Sequence, residues 1–176
     1  MATAPKLCLR IHHSRTGARV EGINFKLNWA VVLVMMKYFF IYYQGAYAMI
    51  TLIICLFIAV LLPYLLKMVV GYFMQKEGVY DNHQPRVQQA RLVGMGARAV
   101  AAHQNGFESL LVFATAALTA LATNHVGALV QVLAIIYIGS RIIYNIFYLQ
   151  DLASLRSLTW FVGFFCCLAI LFVCMM

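Results

Sequence analysis

The sequence predicts an all-α integral membrane protein, a four-helix bundle with an additional N-terminal hydrophobic segment. Two observations predict this class. Of the 176 residues, 64% are hydrophobic and only 10% are charged, which is not the composition of a soluble globular domain. Four apolar runs, alone or with their polar lead-ins, reach the roughly 20 residues that a helix needs to cross a bilayer. These runs are residues 50–74, 110–121, 126–149 and 158–176.

Residues 1–48 form a basic leader followed by a hydrophobic segment, and residues 49–176 form the four-helix domain. The apolar and aromatic stretch 27–43 contains Lys37 and is followed by Ala46-Tyr-Ala48. Three interpretations remain open. A cleaved signal peptide fits the Ala-x-Ala end, but its basic lead is unusually long. An extra span requires a partner for Lys37. An upstream start codon, with the working protein beginning at Met49, is favoured because Met49 directly precedes a clean span.

The first span, residues 50–74, contains Pro63, which removes one backbone donor and predicts a kink. Lys67 lies past its middle, where a lysine snorkels towards the following loop. That loop, residues 75–91, is the longest hydrophilic segment, and Gly78, Asn82 and Pro85 are its turn formers. Its basic excess places it on the cytoplasmic side under the positive-inside rule.

The second span begins with a polar stripe. Arg98, Asn105 and Glu108 are spaced i, i+7 and i+10, which places them on one stripe of a helix. A carboxylate near mid-bilayer costs about 2.5–3.5 kcal/mol on insertion scales. The stripe is therefore expected to face other helices or a polar cavity. A packing pair between Asn105 and Glu108 is the alternative, and His103 is interpreted as a structural or interfacial histidine.

The third and fourth spans each carry a further polar cluster. Arg141, Tyr144 and Tyr148 lie on one face of the third span at i, i+3 and i+7. After a turn at residues 150–155, Arg156 and Ser157 open the fourth span. Taken singly, these clusters are typical of snorkelling arginines, interfacial tyrosines and a positive-inside anchor.

All three clusters lie towards the same side of the membrane, and this changes the interpretation. The pattern predicts one polar pocket, open to the cytoplasm, with Arg98, Arg141 and Arg156 as cationic walls. Such a pocket suits an anionic ligand, because guanidinium groups bind carboxylates through paired hydrogen bonds. No metal site is expected, because none of the five cysteines has metal-ligand spacing, and nothing resembles a nucleic-acid module despite the net charge of +8.

The ordered clusters resemble the MAPEG family, the membrane-associated proteins in eicosanoid and glutathione metabolism, over residues 50–176. The resemblance rests on three motifs, Arg98-x6-Asn105-x2-Glu108, Arg141-x2-Tyr144-x3-Tyr148 and Arg156-Ser157. The resemblance is to bacterial-type members and implies a multi-pass protein of the bacterial inner membrane. It implies a homotrimer that binds glutathione, as co-substrate, between neighbouring subunits near the cytoplasmic face. Its matching glutathione contacts are Asn105, Glu108, Arg141, Tyr144 and Tyr148, and we add Arg98 and Ser157 as candidates.

The resemblance also implies an activity. Arg156 matches the arginine that stabilises the glutathione thiolate, and a neighbouring cation does lower the pKa of a thiol and activate it. The expected reaction is thiolate attack on a lipophilic electrophile or lipid hydroperoxide that enters from the membrane lipids. We therefore expect a transferase or peroxidase with Arg156 as its catalytic residue.

Three departures from the family pattern bear on this activity, and the first of them favours an alternative function. Ala101 stands where well-studied members carry an arginine, and Leu111 stands where the family often has proline. The turn before Arg156 also differs in length. Loss of one carboxylate-binding arginine weakens the case for glutathione, unless Arg98 substitutes for it. The alternative is a non-catalytic member that binds lipid or protein. A transporter or channel subunit is less favoured, since no inverted repeat or pair of broken helices is present.

Overall fold

The computed structural model describes the backbone of residues 17–176 and the side chains of residues 31–39 and 47–176. The basic lead-in before residue 17 lies outside this part. Every element in the described part is helical. The helices are α1 (Gly17–Glu77), α2 (Pro85–Arg91), α3 (Gly94–Ala122), α4 (Ala128–Leu149) and α5 (Ala153–Cys174).

The chain divides into two compact units, residues 1–43 and 44–176. In the first unit, residues 17–43 are helical, and its described side chains, residues 31–39, are all exposed. The start of the working protein, with its three alternatives, stays a prediction.

The second unit contains four helices that are long and apolar enough to cross a membrane. They are Tyr47–Glu77, Gly94–Ala122, Ala128–Leu149 and Ala153–Cys174. The prediction of an all-α membrane bundle with four spans is therefore confirmed. Large apolar side chains such as Met68 and Leu111, each 71% exposed, lie on the outer faces. In a membrane protein these faces contact lipid, because lipid tails are as apolar as the side chains themselves.

Small residues allow the four spans to approach closely. One core cluster joins α1, α3, α4 and α5 and contains Ala59, Ala116, Ala120, Ala134 and Cys167. Small residues of this kind are typical of membrane helix interfaces, where dispersion contacts between backbones replace the hydrophobic effect as the driving force. Gly106 shows the same principle, because a Cβ built there would lie 3.1 Å from the Cβ of Pro63 in α1.

The loop after the first span is more ordered than predicted. Residues 85–91 form α2, with Pro85 in its first turn, where the missing N–H costs nothing. Pro85 therefore begins a helix, and its interpretation as a loop turn former was wrong. The Asp81 carboxylate accepts hydrogen bonds from the backbone N–H groups of His83 and Gln84, which closes the turn before α2.

The fourth span begins earlier than predicted. The turn after α4 has only three residues, 150–152, and α5 starts at Ala153 rather than at Arg156. Asp151 adopts a left-handed conformation (φ 66°), and the N–H of Leu152 bonds to the carbonyl of Phe147. This bond, together with that from Asp151 N–H to Tyr148 O, makes the compact C-terminal cap common in helices. Arg156 is consequently inside the first turn of α5.

Candidate functional site

Arg141 is the centre of a polar network between α3 and α4. Its side chain is almost fully buried, with only 4% of the residue surface exposed. One guanidinium nitrogen, Nη2, donates a hydrogen bond of 2.6 Å to Oδ1 of Asn105. The guanidinium carbon also lies 4.1 Å from the ring centroid of Tyr144, which is cation–π geometry. A buried cation is tolerated here because the hydrogen bond to Asn105 and the cation–π contact with Tyr144 replace its interactions with water.

Asn105 connects Arg141 to Glu108. Its amide nitrogen Nδ2 donates to Oε2 of Glu108 over 3.1 Å. The amide can serve both neighbours because its oxygen accepts and its nitrogen donates. Asn105 and Glu108 thus do form a pair, as one interpretation of the sequence held, and the pair extends to a cation on the next helix. Glu108 itself is exposed, so its second oxygen is accessible.

Two adjoining cavities border this network. The first, which we call the Arg141 cavity, has a volume of about 110 Å³, and the second, the Arg156 cavity, about 310 Å³. They share Asn105 and Trp160. The Arg141 cavity is lined by Asn105, Glu108, Ser109, Val112, Tyr137, Arg141, Trp160, Phe164 and Cys167. The Arg156 cavity is lined by Asn105, Tyr144, Tyr148, Arg156, Ser157, Trp160 and Phe161.

Arg156 is held against an aromatic ring rather than against a carboxylate. Its guanidinium carbon lies 4.4 Å from the ring centroid of Tyr148. Tyr148 in turn makes an edge contact with Tyr144, at 5.5 Å between centroids. Stacking on a ring face leaves the in-plane N–H donors of a guanidinium available. Within the described part of the chain, Arg156 forms no ion pair, so its charge is available to an anion in the cavity.

Ser157 borders the same cavity, but its hydroxyl is already engaged. Its Oγ donates a hydrogen bond of 3.1 Å to the carbonyl of Ala153, one turn earlier in α5. The oxygen retains its capacity to accept. Ser157 can therefore accept a hydrogen bond from a ligand N–H or O–H more readily than it can donate one.

Arg98 lies apart from the other candidate residues. Its Nε donates to the carbonyl of Leu149 over 3.1 Å, and its Nη1 lies 3.5 Å from a carboxylate oxygen of Asp151. Both acceptors belong to the end of α4 and the turn that follows. Arg98 lines neither cavity. Of the three arginines predicted to line one pocket, Arg141 and Arg156 thus line adjoining cavities, whereas Arg98 contacts the α4–α5 turn.

An aromatic wall on α5 was not predicted. Trp160, Phe161 and Phe164 line the cavities, and Trp160 and Phe164 stack with ring centroids 5.2 Å apart. Their spacing was a usable signal, since 156, 160 and 164 repeat at i, i+4 and i+8 on one helix face. The signal was obscured because aromatic residues are abundant throughout this apolar span.

His103 has a partner that the sequence did not reveal. Its Nδ1 lies 2.8 Å from the carbonyl of Pro63, so Nδ1 carries the proton and donates. The ring also contacts Phe107 edge-on, at 5.2 Å. The interpretation of His103 as a structural histidine agrees with these contacts, which tie α3 to α1.

Comparison with known proteins gives one result at the level of family. A model of the MAPEG family matches residues 51–176. No curated protein and no solved structure matches the chain. The matched range contains all four spans, except for the first four residues of Tyr47–Glu77, and every residue of the two cavities.

Proposed function

Because the chain belongs to the MAPEG family, we propose that it is a membrane-bound glutathione-dependent transferase or peroxidase. The observation that supports this most is the pair of adjoining cavities with Arg141 at one and Arg156 at the other. Glutathione carries two carboxylates and a thiol, so its recognition calls for several cations around one ligand. Arg156, which stacks on Tyr148 and has no carboxylate partner among the described residues, is the group proposed to face the thiolate.

In the proposed reaction, the Arg156 cation favours the thiolate of glutathione over its thiol. The sulfur then attacks an electrophilic carbon, a C–S bond forms, and the leaving group departs with its electron pair. With a hydroperoxide, the sulfur attacks the outer oxygen and the O–O bond breaks. The alkoxide takes a proton from water and is released as the alcohol, and a second glutathione converts the resulting sulfenic acid to the disulfide and water. Trp160 and Phe164 supply an apolar wall for the lipophilic substrate.

The proposal includes the assembly and location expected from the family. We propose a homotrimer in an inner bacterial membrane, with glutathione between neighbouring subunits on the cytoplasmic side. Native mass spectrometry of the protein in detergent measures the subunit number. A dimer would contradict the trimer, and a monomer that binds glutathione fully would contradict the shared site.

The test compares Arg156→Gln with Arg91→Gln, an exposed arginine at the end of α2 that lines neither cavity. Conjugation of glutathione to 1-chloro-2,4-dinitrobenzene is followed across pH in detergent. A thiol has a pKa of about 8.5, and a neighbouring cation lowers it by about one to two units, so turnover at neutral pH is expected to fall about 10-fold to 100-fold in Arg156→Gln. The acidic limb of its pH–rate profile is expected to move to higher pH. An unchanged profile in Arg156→Gln rejects this role for Arg156.

A second candidate function is non-catalytic binding of a lipid or a partner protein. Two observations favour it. Ala101 stands at the position of the family arginine, and Arg98, the residue considered as its substitute, bonds to Leu149 and Asp151. Calorimetry in detergent separates the two functions. Saturable lipid binding without any heat from glutathione selects the non-catalytic alternative.

A further inference from the structure

A separate cavity lies between α1, α2 and α3. Its volume is about 670 Å³, and its polar lining comes from Lys67 of α1, Tyr80 of the loop, Arg86 and Gln89 of α2, and His103 and Gln104 of α3. We call this cavity the basic groove. It shares no lining residue with the Arg141 or Arg156 cavity.

The groove has positive charge without compensation. Lys67 and Arg86 are the lysine and the arginine that line it, and no carboxylate lines it. In the described part of the chain, the ion pair is Arg98 with Asp151, and neither groove cation takes part in one. The neighbouring Asp81 carboxylate accepts from the backbone before α2. A cleft of one charge sign attracts ligands of the opposite sign, because low-dielectric walls focus the field.

The groove combines polar and apolar side chains in its lining. Arg86 and Gln89 belong to α2, which lies in the connection between the first two spans. Val100 and Phe107 line the groove from α3, and Phe107 is 40% exposed. Lys67 lies ten residues before the end of α1, or about 15 Å along the helix at 1.5 Å per residue. A ligand that satisfies the whole groove therefore combines an anionic group with an apolar part.

The wall of the groove is held rigidly at its deeper end. The hydrogen bond from His103 to the Pro63 carbonyl joins α3 to α1, and Tyr64 packs edge-on against Phe107 at 5.6 Å between centroids. These contacts fix the two helices at the depth of Lys67. The groove is thus a formed cleft between spans rather than a scatter of surface cations.

We propose that the basic groove binds an anionic phospholipid, with its phosphate between Lys67 and Arg86 and an acyl chain along Val100 and Phe107. Phosphate oxygens accept hydrogen bonds from both the ammonium and the guanidinium group. Free inorganic phosphate satisfies the cations but leaves the apolar wall of α3 uncovered. The combination of charge and apolar wall favours the lipid over the free anion. This inference is independent of the proposed glutathione chemistry.

The test measures lipid binding to the full chain in neutral detergent by native mass spectrometry. Phosphatidylglycerol is titrated against wild type, Lys67→Gln, Arg86→Gln and the double variant. A basic residue near an anionic headgroup contributes about 1 kcal/mol, so each single variant is expected to weaken binding about 5-fold and the double variant about 30-fold. Phosphatidylcholine is expected to bind wild type more weakly than phosphatidylglycerol does.

Lys76→Gln and Arg91→Gln are the matched controls. Both residues are exposed cations in the last turns of α1 and α2, and neither lines the groove. They are expected to bind phosphatidylglycerol as wild type does. Since Arg86 is exposed on α2, its replacement tests the site even where Lys67→Gln lowers the yield of folded protein.

Four results overturn the proposal. Equal phosphatidylglycerol binding in Arg86→Gln and wild type rules out a contact between the lipid phosphate and Arg86. Equal affinity of the wild type for phosphatidylcholine and phosphatidylglycerol rules out recognition of the headgroup charge. Competition by inorganic phosphate at the concentration of the lipid assigns the groove to a free anion. Loss of glutathione affinity in Arg86→Gln, with lipid binding retained, assigns the groove to glutathione.

Discussion

Two arginine contacts join α3 to α4, and they differ in depth and in consequence. Arg141 reaches Asn105 from a site where only 4% of its surface is exposed. Arg98 reaches Leu149 and Asp151 at the end of α4, where the side chains of Arg98 and Asp151 are 28% and 68% exposed. A buried polar group that loses its partner bears the full cost of desolvation, whereas an exposed one exchanges its partner for water.

The same difference separates their functions. Arg141 and its partner Asn105 both line the Arg141 cavity, so their remaining hydrogen-bonding capacity faces a place where a ligand fits. Arg98 uses its guanidinium to hold the turn that leads into α5. Two arginines on facing helices can thus have different roles. One lines a cavity and the other stabilises a turn, and the difference is whether the side chain lies next to a cavity.

The largest expected effect in this comparison comes from Arg141→Met. The substitution removes a hydrogen bond to a charged group and leaves Asn105 Oδ1 without its donor, which costs about 2–3 kcal/mol. Thermal unfolding in detergent measures the loss. A double-mutant cycle with Asn105→Leu is expected to show coupling, because the two side chains share this bond. Additive losses would contradict a direct interaction between them.

An intermediate effect is expected at the α4–α5 contact beside Arg141. A Cβ on Gly163 would lie 2.8 Å from Ser140 Oγ and 3.5 Å from Arg141 Cδ. Gly163→Ala is therefore expected to destabilise the protein by about 1–3 kcal/mol, since overpacking forces neighbouring groups apart. Gly139→Ala is the matched control in α4, because nothing lies within 4 Å of its added Cβ. Equal unfolding temperatures for the two variants would show that α5 does not approach α4 so closely.

The smallest effect is expected at the turn. Arg98→Gln is expected to cost less than about 1 kcal/mol, because exposed ion pairs contribute little. Asp151→Asn is expected to cost about as little, since asparagine tolerates the left-handed conformation at φ 66°. Asp151→Ala is expected to cost about 1 kcal/mol more, because alanine is disfavoured there. If the two Asp151 variants unfold at the same temperature, the backbone conformation at this residue is not what holds the turn.

The four spans could be predicted from sequence because each depends on a local property, the length of an apolar run taken alone or with its polar lead-in. The error at α5 has a physical reason. Residues 153–155 were assigned to the turn, but the bond from Leu152 N–H to Phe147 O closes the turn within three residues. That bond requires a left-handed Asp151, which nothing in the hydropathy of the segment indicates.

The sequence by itself determined which faces of α3 and α4 are polar, because helical periodicity places Asn105 with Glu108 and Arg141 with Tyr144. Only the tertiary structure decided which of these faces meet, as the approach of Arg141 to Asn105 and the turning of Arg98 to Asp151 show. It also decided that Trp160 and Phe164 form a wall of the Arg141 cavity. The physical reason is that periodicity fixes directions within one helix, whereas contacts between helices depend on how closely small residues such as Gly106 and Gly163 let the backbones pack.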